Sequence, residues 1–318
     1  MNEETKKQLE SGADIIVSVS GGKDSTACCL KLFEMGYTKS DFRRVFMDTG
    51  WEDASTYEYL DYLEKHIGKI ERIRKNVDIS QMPEDVQLFI QEEEKRLGHE
   101  SDFIRIVFKN FCFPNSLRRY CTKILKIEPF ADYLLDQDND AIVVVGLRRE
   151  ESRARSEITE WEWSERYQNY VWRPLYLWSE KDVIDIHSRF QVLPNNLYLQ
   201  GADRVGCYPC IYSKKKHIKM LTQKRINLID RIERFLGEYN YRRSSGKGTK
   251  LEAMLNNRLK IAGYLYHPMF IGKLGEENIH SIYEWSQTTY GGKQFALFDI
   301  EEPSCTKWGL CDFGGSYE

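Results

Sequence analysis

Read for the spacing of its apolar positions, the first half of the chain alternates short β-branched runs with amphipathic stretches. Asp14-Ile-Ile-Val-Ser-Val-Ser20 is an apolar run closed by glycines and predicts a buried strand. Asp24 to Met35 predicts a helix, with Ala27, Leu30 and Glu34 on one side and Cys28, Leu32 and Met35 on the other. Arg44 to Asp48 predicts a second strand closed by Thr49-Gly50, Asp53 to Ile67 a helix, and Lys69 to Arg74 a third strand. Glu84 to Gly98 reads as a polar helix whose Glu92-Glu93-Glu94 run is expected to be a solvated face. Lys123 to Leu135 predicts another helix. Ala141-Ile-Val-Val-Val-Gly146 is the clearest strand, because a continuous β-branched run implies burial on both faces.

Strands alternating with helices predict an α/β fold, a parallel twisted sheet with helices on both faces. Ligands of such sheets bind beyond the carboxyl ends of the strands. Ser20-Gly21-Gly22 and Gly146-Leu147-Arg148 both fall there and are expected to line one crevice. Ser179-Glu-Lys-Asp182 reads as a capping box opening a helix through Phe190. Beyond about residue 195 the pattern becomes helical. Thr222 to Leu236 carries Ile229, Ile232 and Leu236 on one face, with Gly237 expected as the stop. A basic Ser/Gly loop spans Arg242 to Lys250, and the last fifteen residues have no periodicity. The expected organisation is a nucleotide-binding domain over residues 1–200 and a smaller, mainly helical region over 201–318 that carries a cysteine-bearing tail.

Composition narrows the function classes. With 41% apolar and 30% charged residues and a net charge of −3, the 318-residue chain offers no bulk attraction to nucleic acid or to an anionic membrane. Two local basic segments, Lys214-Lys-Lys-His217 and Arg242 to Lys250, have Tyr208, Tyr212, Tyr239 and Tyr241 nearby, whose rings could stack on bases; solvated loops are the expected reading and nucleic-acid contact the alternative. Met1 to Ser11 lacks the apolar core of a signal peptide, and no apolar run is long enough for a bilayer, so a cytoplasmic setting without membrane contact is expected. The eight cysteines then favour metal or catalytic roles over disulfides.

The strongest chemical signal is Ser20-Gly21-Gly22-Lys23-Asp24-Ser25, set between a strand and a helix. Two glycines let the backbone approach a phosphate and turn its N–H groups inward. Ser20, Ser25 and Thr26 offer hydroxyl donors, the helix N-terminus adds a favourable dipole, and Lys23 offsets phosphate charge. Asp24 is expected to orient the loop or a Mg2+ ion. The chain has neither a Gly-x-x-x-x-Gly-Lys-Ser/Thr loop nor a Gly-x-Gly-x-x-Gly turn.

With these residues the chain resembles the PP-loop ATP pyrophosphatase superfamily, whose members hold pyrophosphate or α-phosphate groups on a Ser-Gly-Gly-x-Asp-Ser loop. Two further segments narrow the resemblance to the phosphoadenosine phosphosulfate reductase family, over about the first 215 residues and weakly the last fifteen. Met47-Asp48-Thr49-Gly50 resembles the end of that family's second strand, which lies against the adenosine. Gly146-Leu-Arg-Arg-Glu-Glu-Ser-Arg153 is similar to its Gly-x-Arg-x-x-x-Ser segment. The resemblance implies that Arg148 and Arg153, with Arg149 and Arg155, supply bidentate phosphate donors. The alternative is a surface paired with Glu150, Glu151 and Glu157.

Cys121, in Arg118-Arg-Tyr-Cys-Thr-Lys-Ile-Leu-Lys126, is similar to the family's Cys-Cys-x-x-Arg-Lys segment, with Thr122 at the second cysteine. Cys207-Tyr-Pro-Cys210 follows after 85 residues, near the spacing of iron–sulfur adenosine phosphosulfate reductases. The resemblance therefore implies a 4Fe-4S cluster, with zinc as the alternative, held by four of Cys121, Cys207, Cys210, Cys305 and Cys311. His217 is a weaker candidate ligand. Cys28, Cys29 and Cys112 are expected in the core. A spare thiol, Cys311 above all, would act with Lys23 and Asp24 in catalysis. The tail Trp308-Gly-Leu-Cys-Asp312 departs from the reductases' Glu-Cys-Gly-Leu/Ile-His. That departure favours cleavage of ATP at the α-phosphate, in support of adenylation or sulfur transfer, over sulfonucleotide reduction or a nucleotide-binding regulator. The sulfur acceptor or donor stays open between nucleic acid and protein.

Overall fold

In the computed structural model, residues 3–137, 140–270, 278–288 and Trp308 are described. Helix α1 (Glu3–Leu9) leads into β1 (Asp14–Val19), α2 (Lys23–Glu34), β2 (Phe42–Met47), α3 (Ala54–Ile67) and β3 (Glu71–Ile73). Helices α4 (Glu84–Leu97), α5 (Asp102–Asn110) and the single turn α6 (Tyr120–Thr122) follow. The chain then passes through one wide π turn (Lys123–Ile127) into α7 (Glu128–Leu135) and β4 (Ala141–Val144). Strands β5 (Trp161–Ser164) and β6 (Asn169–Trp172) precede α8 (Glu180–Arg189), α9 (Asn196–Leu199), α10 (Lys215–Lys219), α11 (Gln223–Ser244), α12 (Lys250–Ala262) and α13 (Ile279–Gln287).

The strands form one six-stranded sheet in the order β3-β2-β1-β4-β6-β5, parallel except at β5, which pairs antiparallel with β6. Alternation decides which face each residue serves. Ile15, Val17 and Val19 of β1 join Ile142 and Val144 of β4 under α2, α3 and α8, whereas Ile16 and Val143 meet Phe130 and Leu134 of α7 on the other face. Both faces are covered, as the β-branched runs predict. A third core packs Trp51, Phe103 and Phe108 with Ile229, Ile232 and Leu236, so residues from both sides of position 200 share it.

The aromatic stretch from Trp161 to Trp172 is the β5–β6 hairpin, with Trp161 stacked on Trp172 at 5.6 Å. Two expectations change. Glu93 and Glu94 are not on a solvated face: Glu93 is fully buried against Arg231 at 2.6 Å, and Glu94 takes Arg105 at 2.8 Å. Arginines on partner helices compensate the burial that the charge run seemed to forbid. Gly237 does not stop its helix, because α11 runs on to Ser244. A Cβ at Gly237 would stand 2.3 Å from the Tyr266 amide nitrogen, so the glycine serves a backbone crossing. No described helix is long and apolar enough to cross a membrane.

The crossing yields a test. Ala has the better helix propensity by about 1 kcal/mol, so Gly237→Ala at an open site would stabilise the protein. Here overpacking against Tyr266 should instead destabilise it by about 1–3 kcal/mol, read as a lower urea midpoint. An unchanged or raised midpoint would refute the crossing.

Candidate nucleotide-binding site

Strand order reverses between β1 and β4, and a ligand crevice opens at such a switch point. Both predicted loops lie there. Gly21 adopts φ +71°, with Thr56 of α3 so close that a Cβ would meet its methyl at 2.9 Å. The Ser25 hydroxyl donates to the Gly22 carbonyl at 3.0 Å and accepts the Ser20 N–H at 3.0 Å, and Thr26 donates to the same carbonyl at 3.1 Å. These two hydroxyls therefore shape the loop from within. Ser20, half-buried, is the loop hydroxyl nearer the open side.

The second loop touches the first. A Cβ at Gly146 would fall 2.6 Å from the Asp24 carbonyl carbon, so only glycine permits this approach. Arg148 then donates from Nε to the Asp24 carboxylate at 2.6 Å, and its backbone N–H is accepted by Glu151 at 3.1 Å. Arg148 is 4% exposed and spends its charge on Asp24. Of its neighbours, Arg155 pairs with Glu151, Arg149 stacks on Tyr176, and Arg153 is exposed.

Lys23 is buried; its Nζ donates to the Asp203 carbonyl at 3.2 Å and lies 3.4 Å from Glu180 and 3.9 Å from Asp24. Its backbone N–H, at the start of α2, donates to the Tyr198 hydroxyl at 3.1 Å. Burial pushes the Tyr198 phenol well above its ordinary range, so it stays protonated. Trp308 covers Tyr198 at 5.9 Å between ring centroids and meets His187 edge-on at 5.6 Å. Burial lowers His187 to about 4 and keeps it neutral, its Nδ1–H donating to the Val183 carbonyl at 2.7 Å.

The end of β2 forms the third wall. Asp48 accepts the Gly50 N–H at 2.9 Å and the Tyr57 hydroxyl at 2.8 Å, and Thr49 donates to Glu52 at 2.8 Å. Gly50 sits at φ +65° with the Glu100 carbonyl only 2.5 Å from where a Cβ would be. Cys207 bridges to Glu52, its Sγ lying 3.8 Å from both the Glu52 carboxylate and the Thr49 hydroxyl. Electrostatic coupling links Cys210 to both Cys121 and Cys207, so the three predicted thiols are gathered. Lys126 is held cationic by Cys207, Glu52 and Cys210, while burial pushes Cys207 up to about 11 and Cys121 up as well.

The wide π turn contributes here: i→i+5 closure brings Cys121 and Lys126 toward one side. Among the described residues no three His, Cys, Asp or Glu side chains are arranged to hold a metal ion. The three thiols with Lys126 beside them are thus not a metal cage by themselves. Cys305 and Cys311 lie outside the described residues. Cys28 and Cys29 are fully buried as expected, Cys112 only partly, and His217 accepts the Asp203 N–H at 3.2 Å.

The sequence reading passed over Tyr198, Glu52, Lys126 and Trp308. For Lys126 a signal existed, since it stands at the closing lysine of the quoted Cys-Cys-x-x-Arg-Lys pattern. No motif marks Tyr198.

A parallel sheet with helices on both faces and a glycine turn at its switch point defines a doubly wound α/β protein. The chain belongs to the phosphoadenosine phosphosulfate reductase domain family, whose pattern matches residues 14–213, and is an enzyme of the PP-loop, sulfonucleotide-reductase type. It is similar to an uncharacterized 37.8 kDa protein of Escherichia phage 186, at 31% identity over 89% of this chain and 90% of that one. The adenosine 5'-phosphosulfate reductase of Staphylococcus haemolyticus is 26% identical over 63% of this chain and 71% of its own. A solved phosphoadenylyl-sulfate reductase from Candida auris, in complex with phosphate, matches with a TM-score of 0.47 at 15% identity over 65% of this chain and 88% of that one.

The contact between the two loops can be tested directly. Gly146→Ala should lower nucleotide affinity at least tenfold while circular dichroism reports unchanged helix content, because the added Cβ displaces the start of α2. Full affinity in this variant would mean that the loops do not act together.

Proposed function

We propose that the protein binds ATP at the Ser20–Thr26 loop and cleaves it at the α-phosphate, releasing pyrophosphate to support adenylation or sulfur transfer. The observation that carries this reading is the joining of a glycine loop and an arginine-bearing loop at one switch point through Gly146 and Asp24. Gly21, Gly22 and the first amides of α2 would receive the phosphates, with Lys23 offsetting their charge and Arg153 at the rim. Asp24, fixed by Arg148, would orient the loop or a Mg2+ ion, and Asp48, Thr49 and Gly50 would border the adenosine. In the reaction an acceptor nucleophile forms a bond to the α-phosphorus while the bond to the bridging oxygen breaks, and pyrophosphate leaves. Low-dielectric walls around Lys23 strengthen its pull on the departing charge.

A second reading, reduction of a sulfonucleotide, is favoured by the relatives named as adenosine 5'-phosphosulfate reductases. In it the Cys311 thiolate would attack the sulfonucleotide sulfur and expel the nucleoside phosphate. An external dithiol would then attack the Cys311 sulfur of the resulting S-sulfocysteine, releasing sulfite as its own thiols are oxidised to a disulfide. The same tail carries Trp308, which packs on Tyr198 beside the loop. Soft donors at Cys121, Cys207 and Cys210 would contribute to a 4Fe-4S or zinc centre only with a further thiolate from Cys305 or Cys311.

Two measurements separate these readings. Anaerobic protein supplied with a dithiol reductant and either ATP or a sulfonucleotide (adenosine 5'-phosphosulfate or phosphoadenosine phosphosulfate) should release pyrophosphate from the first and no sulfite from the second. Sulfite alone would establish the reductase, and tight binding with neither product would leave a regulator. Elemental analysis should return near-stoichiometric iron or zinc, lost in Cys210→Ser. The absence of both metals would remove the centre from this proposal.

A further inference from the structure

The two stretches that bring the thiols together are also the two longest in the chain without an acidic residue. Residues 103–127 and 204–229 contain thirteen Lys and Arg and no Asp or Glu, whereas the rest of the chain holds 33 basic and 49 acidic residues. Packing joins them: Arg119 lies 5.3 Å over the ring of Tyr212, Cys121 couples to Cys210, and Leu125 shares a core with Ile218. Arg105 turns inward to Glu94 and Arg225 to Trp51 and the Glu52 carbonyl, and the others leave a chain of net charge −3 with a local excess of positive charge. Arg118, Arg119, Lys123, Lys214 and Lys219 are all exposed at its surface.

That surface borders the phosphate loop. Asp203 is the acid beside it; Lys214 approaches its carboxylate at 3.5 Å and Lys216 binds it, while its carbonyl accepts Lys23. Two exposed aromatic rings stand among the cations. Tyr212 is 45% exposed beneath Arg119, and Trp285 is 41% exposed with Lys215 4.8 Å above its ring. The other basic segment differs, because Arg242 is spent on Asp85 at 3.0 Å.

We infer that this surface binds single-stranded nucleic acid, with the basic side chains on its phosphates and Tyr212 and Trp285 stacking on its bases. The exposed cations Arg118, Arg119, Lys123 and Lys219 match a backbone bearing a charge at every unit, and exposed rings give every base a partner without reading its identity. A folded acidic protein would meet the same charges, but its carboxylates do not repeat with an aromatic plane at every unit as the phosphates of a nucleic acid do. The inference is independent of the nucleotide chemistry proposed above.

Anisotropy of a labelled 20-nucleotide DNA and RNA strand, titrated with the full chain, tests it. Saturable binding is expected, weakening about 50-fold from 50 to 200 mM salt if four phosphates are neutralised. Joint reversal of Arg118, Arg119, Lys214 and Lys219 to Glu should weaken it at least 30-fold, while Arg242→Glu with Lys247→Glu leaves it unchanged. Tyr212→Ala should weaken binding with the salt slope retained. Lack of saturable binding at 50 mM salt would overturn the inference, as would indifference to the fourfold reversal or to Tyr212→Ala. Equal competition by polyglutamate or by vesicles containing an anionic phospholipid would also overturn it, since charge alone would then account for the binding. ATP turnover in the same samples reports on the other proposal separately.

Discussion

The approach of Gly146 to the backbone of Asp24 is the constraint on which the rest of the site depends. It lets the end of β4 press against the first turn of α2, and only then can Arg148 reach the Asp24 carboxylate. The ion pair is buried, so its attraction is little screened by water, and losing one partner would strand the other charge. Strand pairing of β1 with β4 sets the distance, and the missing Cβ completes it. The two loops are held together as one lining for that reason.

Much of this was readable from residue order. β-branched runs at Ile15–Val19 and Ala141–Val144 announced buried strands, and serines and glycines announced the turn between strand and helix. What escaped was contact at long range. Tyr198 caps the α2 amide from 175 positions away, and no local pattern distinguishes a tyrosine that does this from one that packs. Glu93 and Glu94 were misread because charge spacing says nothing about arginines on other helices. Gly237 was misread because a glycine that ends a helix and one that admits another backbone look alike in sequence. The pairing of Arg148 with Asp24 was equally hidden, since residue order cannot say which carboxylate a guanidinium will meet.

The helical region after the sheet also builds the site. Arg225 of α11 lies 4.5 Å over the Trp51 ring and donates to the Glu52 carbonyl at 2.9 Å, while the Trp51 indole donates to the Pro209 carbonyl at 3.1 Å. The turn after β2 is thus gripped from the far side by residues that share its core. Perturbing α11 would reach Asp48 and Thr49 through these contacts, by displacement of a packed wall rather than by loss of any group that meets ligand.

The π turn at Lys123–Ile127 has a consequence for how this protein tolerates change. A helix acquires such a turn by taking in one residue more than its hydrogen-bond ladder needs. The orientation of Lys126 relative to Cys121 is then governed by residue count rather than by which side chains fill the turn. Exchanging Lys123 or Ile124 for another helix former leaves the count intact. Removing one residue restores the regular ladder without turning the helix on either side, since the wide turn absorbs the surplus residue, but changes which side chain stands in the turn. In this stretch the natural unit of variation is length, and related chains that differ by one residue there would present a different side chain to Cys207 while looking nearly the same on the page.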